Sequence, residues 1–170
     1  MARICVCGLD DMPGVVEQVR PGRLISLLPA EFQPATPPRL PASDHLRVLI
    51  DDVTEPKEGF CTPAREHVEE LLRFLRASPL DVSLVIHCHA GVSRSPAAAL
   101  LALACDAPGR EREAAELLRE AAPFACPNRL LVELADSALG RGGALVAALD
   151  SIAEPQWTFE FRPFFLPRML

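Results

Sequence analysis

The stretch that decides the architecture is Leu84-Val85-Ile86-His87-Cys88-His89-Ala90-Gly91-Val92-Ser93-Arg94-Ser95-Pro96. Val82–His87 is a short, nearly continuous apolar run, the pattern of a strand buried on both faces of a parallel sheet. A helix follows from near Ser95, where serine can cap and Pro96 suits the first turn. The connection therefore curls at a helix N-terminus, where free N–H groups and the positive end of the helix dipole attract an anion. Gly91 gives that tight loop its backbone freedom. Arg94 adds a planar fork of donors that matches two phosphate oxygens at once. The pattern predicts a phosphate cradle with Cys88 at its bottom. Groups that bind phosphate also stabilise a thiolate, and a thiolate under a phosphoryl group is poised for in-line attack without a metal.

Outward from this stretch, the first two-thirds of the chain alternate short apolar runs with amphipathic ones. Arg3–Leu9, Arg23–Leu28 and His45–Asp51 have strand character, with a helix over Asp11–Arg20. Residues 29–44 carry five prolines and form a loop, as do residues 53–61. Pro63–Ala77 is a helix with Thr62 as its cap and Val68, Leu71, Leu72 and Leu75 on one face. After the buried strand, helices are expected near 96–107, 110–122, 127–140 and 142–153. Strands alternating with helices, then helices alone, predict an α/β fold. Its central, mostly parallel sheet is flanked by helices, with extra helices at the C-terminal end. Residues 1–153 would form a single catalytic domain. Residues 154–170, with three Pro and four Phe, suit a docked, non-regular tail.

The chain has 170 residues, 49% of them apolar, enough for one domain with a substantial core. Its net charge of −6 argues against general nucleic-acid binding, although 16 of the 17 basic residues are arginine. No export signal or membrane-spanning run is read, so the six cysteines are expected to be reduced thiols in a cytoplasm. Cys5 and Cys7 lack the partners of a metal site and fit alternate core positions of a strand. No metal or other cofactor is expected. His45 suits a strand edge, His67 a solvated helix face, and Arg110–Glu120 a solvated face of paired charges.

The run His87-Cys88-x-x-Gly91-x-x-Arg94-Ser95 resembles the signature of the cysteine-based protein tyrosine phosphatases, most closely the compact dual-specificity branch and its bacterial relatives. The resemblance covers roughly residues 22–140. It implies a phosphomonoester hydrolase with Cys88 as the nucleophile that forms a cysteinyl-phosphate and Arg94 as phosphate clamp. Ser95 would hydrogen-bond the departing thiolate, and His87 would support the cradle and tune Cys88. The backbone of His89, Ala90, Gly91, Val92, Ser93 and Arg94 would bind the substrate phosphate. The family also uses an Asp as general acid and then general base. Leu49-Ile50-Asp51-Asp52 ends the preceding strand, and aligning the strands puts Asp52 in that role. Alternation turns Asp51 to the opposite face, which leaves it as the alternative acid.

The expected partner is a phosphorylated protein or peptide, with phosphate or vanadate as ligands of the site and neither nucleic acid nor membrane involved. Two rivals remain at this stage. One keeps the fold but acts on a nucleotide, an RNA 5′-phosphate or an inositide. The other is a catalytically dead phosphoprotein-binding module. Phe32 and Phe60 are candidates for a wall beside the substrate.

Overall fold

The computed structural model describes all residues, 1–170. Its elements, in chain order, are β1 (Arg3–Cys7), α1 (Met12–Val19), β2 (Arg23–Leu28), β3 (His45–Leu49), α2 (Arg65–Arg76), β4 (Leu84–His87), α3 (Arg94–Ala104), α4 (Glu111–Ala121), α5 (Arg129–Leu139), α6 (Ala144–Ser151) and β5 (Phe164–Pro167). The five strands make one sheet in the order β3-β2-β4-β1-β5. Every pairing is parallel except β1 with β5, which is antiparallel. The α/β architecture expected from the alternation is the one found.

Side-chain alternation along the strands sorts the core into two layers. Ile4, Val6, Ile25, Leu27, Val48, Leu84 and Ile86 face the large layer formed with α2 to α6. Cys5, Cys7, Leu24 and Val85 face the other way, onto Met12 and Val15 of α1. Cys5 and Cys7 are thus core residues, as their spacing predicted. Helix α3 is buried along its whole length, Arg94 to Ala104, which its run of Ala and Leu without a polar face permits. Its N-terminus is thereby fixed at the end of β4, in the middle of the molecule.

Several expectations need correcting. The tail is not wholly irregular: Phe164 and Leu166 point inward and Phe165 outward, a period of two that adds β5 to the edge of β1. The Arg3 guanidinium lies 3.9 Å above the Phe165 ring and holds that edge. Helix α2 starts two residues later than Pro63, with Ala64 as its cap, and His67 is not merely solvated. Its Nδ1 accepts the Ala64 N–H at 3.0 Å and caps the helix. Glu111 departs from the solvated face of α4: it is buried and pairs with Arg141 at 3.1 Å. No helix is long and apolar enough to cross a membrane.

Candidate active site

The loop between β4 and α3 is tied down from outside by its carbonyls. The His89 carbonyl accepts the Leu9 N–H at 2.9 Å, the Val92 carbonyl that of Cys126 at 2.8 Å, and the Ser93 carbonyl that of Asn128 at 3.2 Å. With these carbonyls turned outward, the amides of His89 through Arg94 donate to no acceptor of the protein. Consecutive free amides at a helix N-terminus form an anion-binding concavity. Gly91 makes the curl possible. Its φ is +75°, and a Cβ there would lie 2.8 Å from the carbonyl carbon of Cys7 and 2.9 Å from the Gly8 nitrogen. The end of β1 is thus the floor on which the loop rests.

Cys88 is 2% exposed at the base of this loop. Ser95 Oγ donates to Cys88 Sγ at 3.1 Å. The Arg94 side chain is buried; its Nη1 donates to the Ile50 carbonyl at 3.0 Å, which aims the fork. The Arg94 Nε–H meets no acceptor and lies 4.0 Å from Asp52 Oδ2. An open guanidinium donor beside the free amides of the loop can take an anion oxygen.

Asp52 reaches the loop and Asp51 does not. Asp52 Oδ1 accepts from Ser93 Oγ at 2.7 Å and from Asn128 Nδ2 at 2.9 Å. Asp51 turns away and closes the base of the 52–60 loop: its Oδ2 accepts the Cys61 N–H at 2.7 Å, and its own N–H donates to the Cys61 carbonyl at 2.9 Å. The structure therefore brings together Cys88, Arg94, Ser95, Asp52 and the loop backbone, and leaves Asp51 in a structural position.

Asn128 carries no role in the sequence reading, yet it joins three elements. It is 3% exposed. Its Oδ1 caps α5 through the Leu131 N–H, and its Nδ2 serves both Asp52 and the Val53 carbonyl. The available signal was a Pro127-Asn128 pair before a helix, a cap pattern whose second partner no local rule reveals.

His87 is fully buried behind the loop, and burial lowers its pKa to about 4. Its Nε2 bonds Ser26 Oγ at 2.6 Å, and its Nδ1 faces the Cys88 backbone outside good hydrogen-bond geometry. His45 is not an edge residue. It is buried against the same Ser26 Oγ at 2.7 Å, and burial followed by the Arg47 charge lowers its pKa to about 4 as well. On the outer side, the Phe32 ring stands edge-on to His89, centroids 5.9 Å apart, and is half exposed. Phe60, on the loop that carries Asp52, lies under the Lys57 ammonium at 4.5 Å. No group of three His, Cys, Asp or Glu side chains is placed to hold a metal ion.

A sulfur beneath a ring of free amides, a guanidinium with an open donor and a carboxylate on the facing loop can bind a phosphate dianion. The same set can support attack on it. No protein-family model and no curated protein matches the chain by sequence. Solved structures do match it. The Cydia pomonella PTP-2 phosphatase is 25% identical, over 79% of this chain and 84% of its own, with a TM-score of 0.59. DUSP15 is 16% identical over 90% of this chain and 94% of its own, with a TM-score of 0.65. PTPMT1 in complex with PI(5)P is 17% identical over 82% and 94%, with a TM-score of 0.58. The chain thus shares the fold of these phosphatases, and its His87–Ser95 loop, set between a buried strand and a helix, is similar to the signature of the cysteine-based protein tyrosine phosphatases.

Proposed function

We propose that the protein is a phosphomonoester hydrolase acting on phosphorylated proteins, as a tyrosine or dual-specificity phosphatase with a two-step covalent mechanism. The observation that carries this reading is the Ser95 hydroxyl on Cys88 Sγ beneath a loop of unpaired amides. In the first step Cys88 Sγ attacks phosphorus, the bond from phosphorus to the leaving oxygen breaks, and Asp52 gives that oxygen its proton. The loop amides and Arg94 hold the three equatorial oxygens. In the second step water attacks the cysteinyl-phosphate and loses a proton to Asp52. The S–P bond breaks, and the Ser95 hydroxyl donates to the departing thiolate while phosphate leaves.

The Phe32 edge against His89 supports a substrate that brings an aromatic ring to the mouth of the site. PTPMT1 binds a phosphoinositide within the same fold, but the variable loop positions here are His89, Ala90, Val92 and Ser93, none of them a lysine. A reducing compartment such as the cytoplasm suits a catalytic thiol.

The test is turnover of p-nitrophenyl phosphate by the purified protein. Vanadate should inhibit it, Cys88→Ser should abolish it, and acid quench should trap phosphate on Cys88. Absence of turnover with intact phosphate binding would make the protein a phosphoprotein reader. Comparing phosphotyrosine and phosphoserine peptides with soluble inositides then ranks the substrates. Phe32→Ala should raise KM for aryl phosphates alone.

A further inference from the structure

Behind the sheet, away from the substrate, a line of polar side chains runs from the protein rim to His87. Arg47 Nη2 donates to Thr36 Oγ1 at 2.8 Å, and Thr36 Oγ1 bonds His45 Nδ1 at 3.0 Å. His45 Nε2 bonds Ser26 Oγ at 2.7 Å, and Ser26 Oγ bonds His87 Nε2 at 2.6 Å. Ser26 is fully buried, and His45 is 5% exposed. Arg47 is held in place by the Pro34 carbonyl, which takes its Nε and Nη2 at 3.2 and 3.1 Å. The chain uses three strands and the proline-rich loop, and none of its members touches the site of phosphate binding.

Proton counting leaves two senses for this line. Ser26 has one hydroxyl proton and sits between two ring nitrogens, so one histidine donates to it and the other accepts from it. If His87 donated, His45 Nδ1–H would have to donate to Thr36. Thr36 already accepts from Arg47, and its own proton would then be left without a partner. In the opposite sense every bond of the line has one donor and one acceptor, and the proton left over is His87 Nδ1–H, beside the Cys88 backbone but outside hydrogen-bond geometry. Arg47 donates to Thr36, Thr36 to His45 Nδ1, His45 Nε2–H to Ser26, and Ser26 to His87 Nε2. Thr36 is only partly buried and can turn its proton to solvent, so the choice falls at His87, where the Cys88 backbone beside the ring favours a protonated nitrogen. His87 is left protonated at Nδ1, the nitrogen that faces the Cys88 backbone.

We propose that Ser26, His45, Thr36 and Arg47 are positioning residues that lock His87 in its Nδ1–H tautomer, turned toward the Cys88 backbone, and so set the reactivity of the Cys88 thiol. Two successive hydroxyl–imidazole bonds hold the ring of His87 in one orientation from behind. A ring free to rotate about χ2 would leave the Cys88 backbone, the root of the cradle, without that fixed neighbour.

Side-chain nitrogen NMR of the intact protein near pH 7 reads the tautomers directly. The expected result is His87 as Nδ1–H and His45 as Nε2–H; His87 as Nε2–H overturns the proposal. Ser26→Ala removes the link, and His45→Leu removes it from the other side. In both, the ratio of Cys88 iodoacetamide alkylation at about pH 6 to that at about pH 9 should change severalfold. Also in both, kcat should fall about 10-fold with KM held within about twofold. His45→Gln places an N–H where Nε2–H stood and should restore most of both readouts. An alkylation profile identical to wild type in folded His45→Leu also overturns the proposal, even if Ser26→Ala fails to fold. The proposal rests on the phosphatase reading only for the kinetic readout. Correct tautomers and a shifted alkylation profile without turnover by the wild type would sink that reading and leave the relay standing.

Discussion

Asn128 Nδ2 donates to Asp52 Oδ1 at 2.9 Å across 76 residues of sequence, and the backbone N–H of the same asparagine holds the Ser93 carbonyl of the loop between β4 and α3. One buried residue, by its side chain and its backbone, thus sets the distance between the carboxylate and the cradle. Misplacing a proton donor by an ångström is enough to slow the step it serves. Asn128→Ala should lower kcat about 10-fold for alkyl phosphates, whose leaving oxygen needs a proton, and far less for p-nitrophenyl phosphate. The measurement is kcat against leaving-group pKa, which should steepen in the variant. Parallel lines for variant and wild type would show that Asn128 does not act through Asp52.

Asp51 and Asp52 are adjacent, and their replacements should fail in different ways. Asp52→Asn keeps the bonds from Ser93 and Asn128 within reach of an amide oxygen and should leave thermal stability nearly unchanged. Its kcat should drop about 10² or more, the usual contribution of a general acid. Asp51→Asn weakens the acceptor of the Cys61 N–H and loosens the base of the 52–60 loop. It should lower stability by about 1 kcal/mol and kcat only modestly. If Asp51→Asn is inactive while Asp52→Asn turns over normally, the acid is Asp51.

Gly91→Ala tests the floor of the cradle. The backbone there is left-handed, and the new Cβ would press on Cys7 and Gly8 from under 3 Å. Backbone atoms cannot swing aside as a side chain can, so the loop must shift. Stability should fall by about 2 kcal/mol or more. Phosphate affinity, read by titration of the free protein, should fall with it, since the amides on either side of position 91 lose their common focus. Gly8→Ala, whose Cβ would meet the His89 carbonyl oxygen at 3.2 Å, should give a milder form of the same defect.

These relationships also mark how far the sequence could carry the argument. Cys88, Arg94, Ser95 and the loop amides were legible because their chemistry is compressed into nine consecutive residues between a strand and a helix. Asp52 was legible only by aligning the end of its strand with the pattern of the family that the loop resembles, since alternation separates Asp51 from Asp52 without choosing between them. Asn128, Ser93 Oγ and the Ser26–His45–His87 line were not, because each is an ordinary polar residue whose role exists only across 41, 61 or 76 positions of chain. The strand at Phe164–Pro167 was hidden by its prolines. Pro163 precedes and Pro167 ends a four-residue strand on the sheet edge, a setting where prolines are tolerated.

The two buried histidines predict a particular loss of stability in acid. An unfolded histidine takes up its proton near pH 6.5, whereas His45 and His87 stay neutral in the fold down to about 4. Between these values the unfolded chain binds protons that the folded chain does not. Their contribution is therefore complete above pH 6.5 and drains away as pH falls toward 4, by about 3 kcal/mol per histidine at the lower end. Urea midpoints measured from pH 7.5 to 4.5 should show this slope, and His45→Gln should flatten about half of it. The two ion-paired carboxylates Glu113 and Asp150 cannot imitate the effect. Glu113 and Asp150, held low by Arg110 and Arg129, lose their stabilisation only as pH falls below the ordinary carboxylate values. Those values lie near 4. A stability curve that is flat from pH 6.5 to 4.5 would mean that the two rings are solvated, and with that the buried line to His87 would not exist.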